Sequence, residues 1–284
     1  MKKQRKKSRR LLPLLLLTLL IAFTIWQNLS FTVTRYDYTS PALPAGLDGL
    51  KIALVSDVHD ISYGEDNSTL LTAIAKEEPD LIAITGDLIS KDTTDLRPAI
   101  ALSKGCTAIA PTYYVTGNHE RRNPLCADLI TELTALGVTV LDDTAAPFIY
   151  GDAKLSLWGL GSETQYQEMT EPEKGAITFT LNRLRVEGNE RFRILLAHEP
   201  DYFSTYAKSG VDLILSGHTH GGQIRIPLLG AVVVSGQGFL PKYQYGIYQE
   251  GQSTMVVSKG LGNSVIPFRI FCQPELVIIT LKAQ

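Results

Sequence analysis

Lys51-Ile52-Ala53-Leu54-Val55-Ser56 runs directly into Asp57-Val58-His59. The apolar run is too short for a helix, and its centre shows no polar alternation. It therefore predicts a strand buried on both faces. A carboxylate and an imidazole follow at once. The same arrangement recurs four times. Asp80–Thr85 leads into Gly86-Asp87, and Thr112–Thr116 into Gly117-Asn118-His119-Glu120. Arg193–Ala197 leads into His198-Glu199-Pro200, and Asp212–Ser216 into Gly217-His218-Thr219-His220-Gly221-Gly222. In open α/β sheets ligands bind at the carboxyl ends of strands. The five motif loops are thus expected to meet at one edge of a sheet.

Between these strands, Asn67–Glu78 places Leu70, Leu71, Ile74 and Ala75 at helical spacing. Leu125–Leu136 is a second helical stretch, closed by Gly137 at a C-cap position. From Gly230 onward, 231–235, 246–249, 254–258 and 275–281 read as strands without intervening helices. They predict a second, more antiparallel sheet.

All five histidines of the chain lie in the motifs. Imidazole is the commonest protein ligand for transition metals. Asp57 and His59 are two apart and would point the same way in an extended chain, gripping one cation. Asp87 has two carboxylate oxygens and can bridge two cations. Asn118 offers a neutral oxygen, and His198, His218 and His220 add nitrogens. These donors are too many for one ion, whereas two ions sharing Asp87 accommodate them all. Mixed nitrogen and oxygen ligation favours Mn, Zn, Fe or Co over Ca or Mg alone. Two such ions clamp the attacking and leaving oxygens of a displacement at phosphorus, and a water bridging them, acidified toward hydroxide, would be the nucleophile. His119 is left without a metal role. It is placed to stabilise the phosphoryl group or to protonate the leaving oxygen. Glu120 and Glu199 are expected to orient histidine ring N–H groups from behind.

The ends of the chain carry a different signal. Seven of the first ten residues are Lys or Arg. Setting those aside leaves 20 of the 27 Lys+Arg against 29 Asp+Glu, so the remainder carries nine net negative charges. That body is a poor binder of nucleic acid through a general positive field. Leu11–Trp26 is nearly all apolar and would rise roughly 24 Å as a helix, extendable through the next residues toward a ~30 Å hydrocarbon core. With its basic flank retained in the cytoplasm, it reads as an uncleaved single-pass signal anchor, a cleaved signal being the alternative. The expected organisation is a basic cytoplasmic tail (1–10), a transmembrane anchor (11–28), a Pro- and Gly-containing tether (29–46) and one catalytic domain (47–284) outside the cytoplasm. Cys106, Cys126 and Cys272 show no zinc spacing.

The ordered set Asp-x-His, Gly-Asp, Gly-Asn-His-Glu, a lone His and Gly-His-x-His resembles the calcineurin-like metallophosphoesterase superfamily. Gly217–Gln223, Gly260–Ser264, Pro267-Phe268-Arg269 and Pro274-Glu275-Leu276 are similar to its bacterial membrane- or wall-associated subgroup, which includes enzymes like the UDP-2,3-diacylglucosamine hydrolases. The resemblance spans residues 50–283. It implies a four-layer αββα sandwich of two mixed sheets. It also implies a first metal on Asp57, His59, Asp87 and His220, a second on Asp87, Asn118, His198 and His218, and His119 as catalytic acid. Asn118 and His119 would also face the substrate phosphoryl group. The expected activity is dinuclear hydrolysis of phosphate mono- or diesters, with a lipid-linked or envelope substrate suggested by the anchor. The alternative is a catalytically silent scaffold of the same fold. Such a scaffold would be expected to have lost a ligand or the histidine after Asn118, and here all are present.

Overall fold

The computed structural model describes residues 2–172, 175–187, 190–231, 233–234, 237–239, 241–264 and 266–283, with side chains left undescribed at 2–12 and 239. In chain order the first half contains α1 (Lys2–Leu29), β1 (Thr32–Thr39), β2 (Lys51–Val55), α2 (Ser68–Glu77), β3 (Leu81–Thr85), α3 (Arg97–Ile109), β4 (Thr112–Val115), α4 (Cys126–Ala135) and β5 (Thr139–Val140). The second half contains β6 (Ala145–Tyr150), β7 (Ala153–Leu160), α5 (Ser162–Thr170), α6 (Ala176–Glu187), β8 (Arg193–Ala197), α7 (Phe203–Lys208) and β9 (Leu213–Ser216). Short ladders β10 (Arg225–Ile226), β11 (Gly230–Ala231), β12 (Val233–Val234) and β13 (Gly238–Phe239) precede β14 (Gly246–Glu250), β15 (Ser253–Val257) and β16 (Glu275–Lys282).

Two six-stranded mixed sheets result, ordered β1-β16-β2-β3-β4-β5 and β14-β15-β9-β8-β7-β6. The continuous apolar runs explain why the sheets face each other. In β2, Ile52 and Leu54 enter the layer between the sheets, whereas Ala53 and Val55 face α2, α3 and α4. In β8, Ile194 and Leu196 enter the same central layer, whereas Leu195 and Ala197 face α6 and α7. Every second side chain of a strand points to the opposite face, so a strand apolar on both faces is stable only with a layer on each side. The result is helices, sheet, sheet, helices, with three apolar seams. Each fully buried Leu or Ile in them contributes about 1.5–3 kcal/mol.

Three expectations are corrected. The C-terminal strands do not form a sheet of their own. β14 and β15 extend the second sheet through β9, and β16 inserts into the first between β1 and β2, antiparallel to β2. The sequence of β16 explains this, because Val277 and Ile279 face the central seam while Leu276 and Ile278 face the helical one. A strand apolar on both sides belongs inside a sheet. The stretch 231–235 is broken into the short β11 and β12, with 232 and 235 outside the described residues.

The segment 29–46 is not a free tether. Its Thr32–Thr39 pairs in parallel with β16 along its whole length. The alternation of Val, Thr and Tyr with Arg35 and Asp37 suits an edge strand with one solvated face.

The expected anchor is helical within α1, but no helix among the described residues is long and apolar enough to cross a membrane. The side chains of the basic tail and of Leu11 and Leu12 lie outside the described ones. From Leu14 to Leu29 the large apolar side chains of α1 are exposed. The end of α1 is docked on the C-terminal loop. Asn28 exchanges two hydrogen bonds with the backbone of Arg269, at 2.7 and 2.9 Å, and Gln27 Oε1 accepts from Phe271 N. The three cysteines are all free thiols.

Candidate active site

β2, β3 and β4 of the first sheet and β8 and β9 of the second all end at one place, and the five motif loops leave from those ends. Five of the residues there hold a left-handed backbone without being glycine: Asp57 (φ 51°), His59 (47°), Asp87 (50°), His218 (70°) and His220 (49°). This conformation is uncommon for such residues and concentrates at functional sites. It also replaces the sequence argument for Asp57 and His59. β2 stops at Val55, so the two side chains converge through a tight turn rather than through strand alternation. Gly117 permits the close approach of loops. A Cβ there would lie 2.3 Å from Asp87 Oδ1.

The donor atoms form two groups. Asp57, His59, Asp87 and His220 make one; Asp87, His198 and His218 make the other; and all these residues are buried. In the first group, His59 Nε2 and His220 Nε2 are 3.2 Å apart, His220 Nε2 is 3.4 Å from Asp57 Oδ1, and His59 Nε2 is 3.5 Å from Asp87 Oδ2. In the second, His198 Nε2 is 3.2 Å from Asp87 Oδ2, 3.2 Å from Asn118 Oδ1 and 3.1 Å from His218 Nδ1. Asp87 Oδ2 thus stands between the groups. Its other oxygen, Oδ1, accepts from His119 N at 2.8 Å.

The hydrogen bonds around the donors fix their orientation. His198 Nδ1 donates to the Thr85 carbonyl at 2.8 Å, which leaves the Nε2 lone pair facing the site. Ser56 Oγ donates to Asp57 Oδ2 at 2.6 Å, and His218 N donates to both oxygens of that carboxylate. His119 Nδ1 accepts from Lys91 N at 3.1 Å, so the neutral ring of His119 carries its proton on Nε2. The His119 ring lies edge-on to His59, with centroids 4.5 Å apart.

Electrostatics point to a positive charge at the centre. His198 Nε2 faces an Asp oxygen, an amide oxygen and an imidazole nitrogen. Only a proton or a cation reconciles these groups. Burial opposes protonation of His198, but Asp87 and Asp57 outweigh it and push the group up to about 10. Burial likewise opposes ionisation of Asp87, yet His198, His59 and His119 hold its carboxyl well below the usual range. Burial brings His59 down to about 4 and His218 down to about 3, leaving both neutral, the form that ligates metal. Two donors each about 2.0–2.2 Å from one cation at ordinary angles lie about 3.0–3.5 Å apart. The observed spacings match, so the two groups fit two cations with Asp87 in common.

Residues 50–222 match the description of the calcineurin-like phosphoesterases. The chain belongs to this family. It is 34% identical over 256 residues to an uncharacterized metallophosphoesterase, YkuE, of Bacillus subtilis, covering 88% of this chain and 85% of that one. It is 29% identical to the phosphodiesterase YaeI of Escherichia coli, covering 81% and 82% of the two chains. Some longer relatives are matched over only 57% to 60% of their own length. Among solved structures, TT1561 of Thermus thermophilus superposes with a TM-score of 0.50 at 15% identity, over 75% of this chain and 90% of that one, a likeness of fold. As a member of the family, the protein is a metal-dependent phosphoester hydrolase.

In this phosphoesterase every site residue expected from the sequence falls in the one cluster, while the two glutamates differ from expectation. Among the described residues Glu120 makes no hydrogen bond to a histidine ring. Its carboxylate accepts from the N–H groups of Asp87 and Gly117, both at 2.8 Å, and Ile89 at 3.0 Å. It therefore holds the turns that carry Asp87 and Asn118. The ring N–H of His198 goes to Thr85, so Glu199 is not its partner. Ser56 and Arg269 are neighbours of the site to which the sequence assigns no role, Arg269 entering only as part of the Pro267-Phe268-Arg269 resemblance. Ser56 precedes Asp57 directly, whereas Arg269 is a lone basic residue far along the chain. Glu120→Ala leaves three N–H groups without their acceptor at about 1–3 kcal/mol each. A loss on the order of 3 kcal/mol or more is expected, lowering Tm by roughly 6–12 °C. Thermal unfolding checks this, and an unchanged Tm would show that the carboxylate does not hold the turns.

Proposed function

We propose that this phosphoesterase uses two divalent cations to hydrolyse phosphate mono- or diesters, acting from the outer face of a membrane on a lipid-linked or cell-envelope substrate. In this reading Asp57, His59, Asp87 and His220 hold the first cation, and Asp87, Asn118, His198 and His218 the second. Mn, Zn, Fe or Co would suit these donors. The observation that carries the proposal is the position of Asp87 Oδ2, 3.5 Å from His59 Nε2 and 3.2 Å from His198 Nε2. When bound, the cations supply an acidified water and neutralise the phosphoryl oxygens.

The chain's own residues have the remaining tasks. Ser56 and the His218 amide hold the Asp57 carboxylate so that Oδ1 faces His220. Thr85 fixes the His198 tautomer. Asn118 and His119 border the phosphoryl position. The His119 proton sits on Nε2, because Lys91 N occupies Nδ1. That N–H is available to donate a hydrogen bond to the departing oxygen and to stabilise the charge developing on it.

The membrane placement is supported by the basic leader and by the exposed apolar side chains of α1 from Leu14 to Leu29. Leu228, Leu229, Phe268 and Phe271 are also exposed, and Phe271 packs on Phe23 of α1 with centroids 5.8 Å apart. The test uses full-length protein in native membranes. The membranes are washed with alkaline carbonate, supplied with each metal in turn, and assayed on model phosphomonoesters, phosphodiesters and nucleotide-linked lipids. Activity on at least one ester class, retained by the washed membranes, is expected. Metal-loaded protein inactive on all of them would contradict the hydrolase reading, and activity released entirely by the wash would contradict the membrane placement.

A further inference from the structure

Arg269 is fully buried, and its side-chain hydrogen bonds among the described residues run to no carboxylate. A buried guanidinium needs its N–H groups satisfied. Here backbone carbonyls and one amide do so. Nη1 donates to His220 O at 3.3 Å. Nη2 donates to Lys259 O at 2.8 Å, to Gly260 O at 3.4 Å and to Gly262 O. Nε donates to Asn263 Oδ1 at 3.2 Å. Nη2 also lies 3.3 Å from the outer nitrogen, Nδ1, of the His220 ring.

The carbonyls that Arg269 gathers belong to two loops. One carries His220. The other, residues 259–263, is pressed against the Asp57 turn. Leu261 N donates to Ser56 O at 3.0 Å and Gly262 N to Asp57 O at 2.5 Å. A Cβ on Gly260 would lie 2.6 Å from Asp57 Cβ, so the two segments have no slack between them. Asp57 and His220 both belong to the first donor group, and Arg269 makes no such contact with Asn118, His198 or His218. Its own backbone is held by Asn28 at the end of α1.

We propose that Arg269 is a positioning residue for one half of the dinuclear centre, setting the separation of Asp57 and His220 and leaving the Asn118–His198–His218 half untouched. The proposal rests on the two-cation reading above. In the full-length protein, Arg269→Met, Arg269→Lys and Asn28→Ala are compared with His220→Ala and His218→Ala. The readouts are metal content after dialysis, titration of metal into the stripped protein, and kcat and KM. Arg269→Met is expected to keep one cation at wild-type affinity and to bind the other at least tenfold more weakly. Its titration curve should match His220→Ala rather than His218→Ala, with the loss of activity in kcat more than in KM and partial restoration in Arg269→Lys. Asn28→Ala keeps the guanidinium but frees its backbone. It should weaken the same cation several-fold, which keeps the test decisive where Arg269→Met does not fold. Two cations bound at wild-type affinity in these variants, or both weakened equally, would overturn the proposal. Wild-type protein that binds fewer than two cations would instead overturn the two-cation reading.

Discussion

Asp87→Ala is expected to release both metal ions and to abolish turnover, with kcat lower by more than the roughly 10²–10³-fold that loss of a single charge-stabilising donor costs. The reason is positional. Among the described residues Asp87 is the one carboxylate that takes part in both groups, its Oδ2 lying near both His59 and His198. Losing it leaves neutral imidazoles and the Asn118 oxygen for the second cation, without a negative charge to balance it. The Oδ1 contact with His119 N is lost as well, so the Asn118 turn loses one of its ties. Elemental analysis of dialysed wild-type and variant protein, with circular dichroism to show that the variant folds, measures this. A folded Asp87→Ala variant holding two ions per chain would contradict the shared carboxylate.

His119→Ala has a different expected signature. It should keep both ions and lower kcat by about 10²–10⁴-fold, most for esters with poor leaving groups. No donor atom of the two groups comes from His119. Burial lowers its imidazole below the ordinary value, with Asp87 partly opposing, which favours the neutral ring that donates a hydrogen bond from Nε2 to the leaving oxygen. The measurement is kcat against leaving-group acidity for wild type and variant. A steeper dependence in the variant is expected. An equal loss on all leaving groups would assign His119 to binding rather than to stabilising the leaving oxygen.

The motif residues were legible because each donor follows an apolar run that can only be a buried strand. Lys51–Val55 and Arg193–Ala197 carry that message without help from the rest of the chain. How the donors converge was not legible. The left-handed turns at Asp57, His59, Asp87, His218 and His220 depend on the contacts that hold them, such as Ser56 on Asp57 and Glu120 beneath Asp87. Outside glycine such backbone conformation has only a weak local signature, Asp and His being enriched in it but seldom adopting it. The place of β16 was missed because its sequence says only that both faces are apolar. Its insertion beside β2 is set by pairing across more than two hundred residues. Arg269 is visible in the sequence only as part of Pro267-Phe268-Arg269, and its contacts are not, since its acceptors are carbonyls that any sequence would supply.

The shared Asp87 is tested most directly by anomalous diffraction at the metal edge from crystals of the reconstituted wild-type protein. Two peaks about 3.5–4 Å apart are expected, one beside Asp57, His59 and His220, the other beside Asn118, His198 and His218, with Asp87 contacting both. A single peak, or two peaks of which only one contacts Asp87, would contradict it.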